Sequence, residues 1–237
     1  MSIIHYWGGQ MRNVFENAWI LLLNELFEFG EDVEKDDARI KEVIGVHKWI
    51  PSPYKNSPVN VTSEVFINSV KKGFFDIKGY HLKGEALYDY VNSLNDLKQI
   101  YLDDDGFVYT YCERLMNYPV PSMSINQIDV ILNRLRENIN SNRAIAVTYS
   151  PLIDYNRVDI PCLQIVQCLV RNNELTLVVF FRSNDLYGAF PSNMMFLTYL
   201  GLRFAEELNV KFKGVDYHCS SLHIYETDLK MAKNVIE

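Results

Sequence analysis

The chain has 237 residues, 48% of them hydrophobic and 13% aromatic, enough apolar material for one large domain with a substantial core. A formal net charge of −7 argues against a nucleic-acid-binding surface, while leaving room for a small anion held by local arginines. The four cysteines (Cys112, Cys162, Cys168, Cys219) show no metal-ligand spacing, no signal peptide is evident, and the apolar run Ala18 to Leu23 is too short to cross a bilayer, so the expectation is a cytoplasmic protein with reduced thiols.

In chain order, residues 13–29 place Val14, Ala18, Leu21, Leu22 and Leu26 at helical spacing and predict an amphipathic helix ended by Gly30. Glu31 to Asp37 is acidic and predicts a loop. Lys41 to Pro51, with Val43, Ile44, Val46 and Trp49, predicts a strand stopped by prolines, and Ser52 to Asn60 reads as irregular. Glu64–Lys72 and Lys83–Leu94 are short helical candidates, and Asp103-Asp104-Asp105-Gly106 predicts a turn. Ser124 to Asn138 predicts a helix with Ser124 as its cap, Gln127 at the capping-box position and a stripe of Ile128, Ile131, Leu132 and Leu135. A strand, Arg143 to Tyr149, follows. Leu163–Val170 and Leu175–Phe181 flank the turn residues Arg171-Asn172-Asn173-Glu174 and predict a hairpin. Asn193 to Leu208 predicts a mostly buried helix, and Gly214 to Tyr225 a last strand followed by a short polar tail. The pattern is α+β, with strands clustered in the second half and no internal repeat or linker.

The hairpin concentrates the chemistry. Cys162 follows Pro161 at its entrance, and Arg182-Ser183-Asn184-Asp185 stands at its exit. Antiparallel pairing makes entrance and exit neighbours, so Cys162 and Arg182 are expected side by side. A guanidinium beside a thiol lowers its pKa and makes it a nucleophile. A cysteine in an apolar strand can also be a small core residue.

Pro161-Cys162, Gln167, Arg182-Ser183-Asn184-Asp185, Asn193 and His223-Ile224-Tyr225, in this register, resemble the signature of the thymidylate synthase family. Weaker likeness lies in Gly106 to Leu115, Gln127-Ile128-Asp129 and Ser141-Asn142-Arg143, so the resemblance covers about residues 105–225. It implies a layered α+β fold whose mixed sheet packs on helices and serves as a homodimer face. It also implies one-carbon transfer from 5,10-methylenetetrahydrofolate, or a related reduced pterin, to C5 of dUMP, giving dTMP without a metal. By the same resemblance Cys162 attacks C6 of the base. Arg182 and Ser183 bind the phosphate, joined by Arg143 from the partner subunit and by Arg39 as the candidate mobile-loop arginine. Asn193 reads the uracil edge, His223 and Tyr225 hold the sugar 3′-hydroxyl, and Asp185 meets the pterin. Glu85 is the best candidate for the catalytic glutamate, ahead of Glu42 and Glu64, and Tyr109 and Tyr149 are candidates for proton handling.

The sequence departs from the family pattern in several places. Leu163 stands where a histidine usually follows the nucleophile, Phe181 where a glutamine usually precedes Arg-Ser, and Asn142 in place of one of two arginines. The chain ends twelve residues after Tyr225, where longer members continue to a C-terminus that closes the site, so the nucleotide half is better supported than the folate half. A hydroxymethyltransferase acting on dUMP or dCMP, and a catalytically silent nucleotide-binding homologue, are the alternatives.

Overall fold

The computed structural model describes residues 13–35, 38–93 and 109–237; the turn expected at Asp103–Gly106 lies outside them. Helix α1 spans Val14–Phe29, where the Asn13 side chain accepts from the amides of Phe15 and Glu16. Its buried stripe is Phe15, Ala18, Trp19, Leu22, Leu23 and Leu26, and Trp19 Nε1 donates to the Leu186 carbonyl at 2.6 Å. Two further helices, α2 (Ser63–Lys71) and α3 (Gly84–Ser93), follow the long strand described next.

Glu31–Lys35 is not a loop but strand β1, paired antiparallel with β2 (Ala38–Pro51). Its charged residues carry no apolar alternation because it is an edge strand whose side chains mostly face water, a composition that discourages further pairing. Lys41 on β2 ties it down through Asp32 at 2.9 Å.

Helix α4 (Tyr111–Met116) and the hairpin of β3 (Tyr118–Val120) and β4 (Met123–Ile125) lead into α5 (Gln127–Glu137). Ser124 lies in β4 and does not cap α5; the Asn126 side chain does, accepting from the amides of Ile128 and Asp129. Gln127 instead bridges two elements. Its Nε2 donates to the carbonyls of Arg114 and Val147, and its Oε1 accepts from the Val147 amide. The expected strand after α5 is reduced to β5 (Ile145–Val147), followed by α6 (Pro151–Asp154).

The central hairpin is β6 (Leu163–Arg171) and β7 (Glu174–Asp185). Asn172 and Asn173 turn it with φ of 52° and 62°, the paired left-handed conformation that asparagine tolerates and that matches strand twist. Helix α7 (Phe190–Leu208) then crosses back to β8 (Lys211–Tyr225), which runs parallel to β7. A Cβ at Gly201 would meet the Phe212 ring at 2.2 Å, so this glycine lets α7 lie close on the sheet. The expected polar tail forms a 3₁₀ turn and a last helix, α8 (Leu229–Ile236), which buries Ala232 and packs near α1.

The six-stranded sheet has the order β1-β2-β8-β7-β6-β5, antiparallel except for β7 beside β8, which makes it mixed as expected. One side buries Val166, Cys168, Leu175, Leu177, Val179, Phe181, Val215 and Tyr217 in the same core as α7. On the other side Ile145, Val147 and Phe180 are 37–39% exposed. Among the described residues no helix is long and apolar enough to cross a membrane.

Behind the sheet end, Arg114 of α4 and Asp154 of α6 form a bidentate pair at 2.8 and 3.1 Å, both side chains almost wholly buried. Asp154 also accepts from the Ser150 amide at 2.7 Å. Removing the carboxylate leaves a desolvated guanidinium without its counterion, so Asp154→Ala is expected to lose about 3–5 kcal/mol of stability in urea unfolding. A loss below about 1 kcal/mol would mean that the pair contributes nothing to holding α4 against α6.

Candidate active site

Cys162 lies just before β6, beside a register shift between Leu163 and Ile165. The Arg182 amide donates to its carbonyl at 2.9 Å, which fixes the expected neighbourhood of thiol and guanidinium. The Arg182 side chain turns to this approach loop, donating through Nε to the Pro161 carbonyl at 3.1 Å and through Nη2 to that of Ile160 at 2.7 Å. Tyr109 closes the other side: its hydroxyl accepts from the Cys162 amide at 3.3 Å and donates to the Ile160 carbonyl at 3.2 Å. Backbone contacts from both sides therefore set where the thiol stands.

The thiol's proton affinity departs from the sequence-based expectation. Burial pushes Cys162 up, and the Arg182 guanidinium opposes that without overcoming it. Even so, Cys162 differs from its fellows. Cys112, Cys168 and Cys219 are buried; burial raises Cys112 to about 12 and Cys219 to about 11, and holds Cys168 well above the thiol range. Cys162 alone of the four is partly accessible, and the Arg182 cation stands beside it.

His223 and Ser183 face each other across β7 and β8, with Ser183 Oγ 3.3 Å from His223 Nδ1. The other ring nitrogen, Nε2, is buried and has no hydrogen-bond partner among the described residues. Burial lowers His223 to about 4, helped by the charge of Lys35. The Tyr225 ring meets the imidazole edge-on at 5.2 Å. A buried polar nitrogen is costly to leave unpaired, so Nε2 marks where a ligand group fits.

Asn193 occupies the first turn of α7 and is 3% exposed. Its Nδ2 donates to Asn184 Oδ1 at 3.1 Å, and Asn184 Nδ2 donates in turn to the Tyr217 hydroxyl at 3.0 Å. From α3, the Tyr90 hydroxyl donates to Asn193 Oδ1 at 3.4 Å. The amide is thus oriented by two neighbours, and each of its polar atoms keeps one further hydrogen-bonding capacity. Asp185 caps the turn before α7, where Oδ1 accepts from the amides of Tyr187 and Gly188 at 3.0 Å. Burial raises its pKa, and these two amides oppose the rise.

Other sequence-based candidates do not join this group. Glu85 is exposed and pairs with Lys71 of α2 at 3.0 Å, and Glu64 is exposed on α2. Glu42 comes nearer: it stands opposite His223 in the β2–β8 register, and its carboxylate accepts from Ser221 Oγ. Arg39 is not free to meet a ligand as it stands, being exposed and paired with Glu34 at 3.0 Å. Arg143 is exposed in the turn before β5, and Tyr149 accepts through its carbonyl from the Tyr118 hydroxyl. Gln167 spends its amide on the Asn142 carbonyl at 2.7 Å.

Sequence reading passed over three contributors. Lys35, within the stretch read as an acidic loop, is the β1 cation whose charge reaches both Cys162 and His223. Asn184 was a neutral position between Ser183 and Asp185, yet its alternation on β7 aims it at Asn193. Tyr90 gave no local signal, because its contact joins residues 103 positions apart.

The family model described as thymidylate synthase matches residues 24–237 of the chain. Three relatives bearing the name "Putative thymidylate synthase" are similar over most of their length. The protein from Methanocaldococcus jannaschii is 34% identical over 215 residues, covering 88% of this chain and 86% of the relative. That from Methanothermobacter marburgensis is 31% identical over 226 residues, covering 93% and 94%. The Methanosarcina acetivorans protein is 31% identical over 222 residues, covering 93% and 91%.

The His223 environment yields a prediction. With a folded pKa of about 4 against an ordinary 6.5, the ring is neutral at pH 7. The linked stability is fully present above pH 6.5 and is lost as pH falls toward 4, by about 3 kcal/mol from this ring. Imidazole chemical shifts of labelled protein are expected to show His223 still neutral at pH 5, and His223→Gln to flatten the acid loss of stability. A ring that protonates near its ordinary pKa would contradict this burial.

Proposed function

The chain belongs to the thymidylate synthase family, and from that premise we propose that it transfers a one-carbon unit from methylenetetrahydrofolate, or a related reduced pterin, to C5 of dUMP. The uracil C5 is a poor nucleophile until a thiolate adds to C6 and turns the ring into an enolate. Cys162 is the proposed nucleophile. The observation that carries this reading is the convergence of a partly accessible Cys162, Arg182, the oriented Asn193 amide and the unpartnered Nε2 of His223 around adjoining ends of β6, β7, α7 and β8.

Each residue's part follows from its chemistry. Arg182 offers a fork of donors that suits phosphate oxygens, with Ser183 beside it. On ligand binding the guanidinium exchanges the Ile160 and Pro161 carbonyls for a charged acceptor. Asn193 accepts from uracil N3–H and donates to O4, using the capacities that Tyr90 and Asn184 leave open. His223 Nε2 and the Tyr225 hydroxyl take the sugar 3′-hydroxyl. The donor supplies the one-carbon unit and the hydride that completes a methyl group. Asp185 Oδ2, to which no hydrogen bond runs among the described residues, is the proposed acceptor for a pterin N–H. The half-exposed apolar side of the sheet supports a homodimer built on that face, with Arg143 reaching the partner's site.

The test is product identity together with base preference. With dUMP and the folate donor, mass spectrometry is expected to find dTMP. Asn193→Asp replaces the amide donor by an acceptor and should shift the ratio of kcat/KM for dUMP over dCMP by about ten- to a hundredfold toward dCMP. A hydroxymethyl product would move the chain to the hydroxymethyltransferase reading. An unchanged ratio would remove Asn193 from base recognition.

A further inference from the structure

A second cluster of ligating groups lies away from the nucleotide-site residues, on the β2–β8 pair. His47 and His218 are directly opposite in the antiparallel register, and Asp216 stands two residues before His218, on the same side of the strand. The two imidazoles stack with centroids 4.4 Å apart and planes 11° from parallel. Both Nε2 atoms approach one carboxylate: His47 Nε2 is 2.6 Å from Asp216 Oδ1, and His218 Nε2 is 3.7 Å from Oδ2. One ligating atom from each of the three residues falls within 4.8 Å of the others.

An ion-pair role alone explains this arrangement poorly. Asp216 holds only one of the two rings: His47 Nε2 is within hydrogen-bond reach of Oδ1, whereas His218 Nε2, at 3.7 Å from Oδ2, is stacked beside it without a bond to the carboxylate. A cation among the three atoms satisfies them together, as neutral imidazole lone pairs and a carboxylate oxygen are all donors to a metal. Lys41 pairs with Asp32 and Arg39 with Glu34, both further along β2.

We propose that His47, Asp216 and His218, which share the sheet face of Phe180, bind one divalent late transition-metal ion, of which zinc is the type, as three of its ligands. Two imidazoles and one carboxylate select such an ion over magnesium or calcium, which prefer all-oxygen shells. Because the ligands come from two strands, the ion clamps β2 to β8, whose far end carries His223 and Tyr225. This site stands apart from the residues assigned to the proposed one-carbon chemistry.

The experiment is a cobalt titration of the tag-free full chain. Co²⁺ is expected to develop a visible ligand-field band that saturates at one ion per chain, without the thiolate charge-transfer band that cysteine coordination would give. Zinc should displace it and magnesium should not. His47→Ala and His218→Ala should each weaken binding at least about tenfold, since removing a ligand costs no less than disturbing the groups that orient one. Asp216→Asn should weaken it too, with all three variants keeping the parent far-UV spectrum in the absence of metal. Binding unchanged in the variants, a thiolate signature, or no saturable band in the parent chain would each overturn the site.

Discussion

The Arg182 amide donating to the Cys162 carbonyl is the contact on which the rest of the site depends. It closes the open end of the β6–β7 hairpin, whose other end is fixed by two asparagines with positive φ. Between these ends the register leaves no freedom: a slip of one residue would carry Cys162 to the opposite face and bury Arg182. The hairpin's alternation then anchors α7 through Leu175, Leu177, Val179 and Phe181, and α7 delivers Asn193 to Asn184. Parallel pairing with β8 sets Asp185 opposite His223. A single two-stranded element thus sets the positions of the thiol, the guanidinium, the Asn193 amide and the imidazole.

Burial, more than charge, governs the titrating groups gathered there. Desolvation comes first for Cys162, Asp185 and His223, pushing each toward its neutral form; Arg182 opposes it at Cys162, two backbone amides oppose it at Asp185, and Lys35 adds to it at His223. Groups whose orientations are already committed suit a ligand that brings its own charge. In the proposed complex the phosphate would meet cations already present on β7 and β1, and the base an amide already turned. Preorganisation of this kind lowers the entropy lost on binding.

Much of this was legible in the sequence, for identifiable reasons. The hairpin, α1, α7 and β8 are long elements with strong local patterns, and the sequence elements around Cys162, Arg182, Asn193 and His223 lie on them. Elements without a local pattern were missed. The charges of β1 hide a strand because pairing with β2, not an apolar face, holds it. Helix α8 is short and depends on packing near α1. Asn126 displaced Ser124 as the α5 cap because β3 and β4 draw Ser124 into a ladder. Glu85 and Arg39 lie apart from the group around Cys162, each with a partner of opposite charge nearby, Lys71 and Glu34, that only the folded surface reveals. Tyr90 could not be read at all, since α3 and α7 meet only through the tertiary fold.

The most direct measurement of the proposed chemistry is covalent capture with 5-fluoro-deoxyuridylate and methylenetetrahydrofolate, read by intact mass and by peptide mapping. Fluorine at C5 blocks the final release, so a working thiol traps itself on C6. A ternary adduct is expected on Cys162, absent from Cys162→Ser and retained in Cys168→Ser and Cys219→Ser, whose thiols are buried in the core. No adduct under conditions where the nucleotide binds, or an adduct on any other cysteine, would contradict the assignment of Cys162 as the nucleophile.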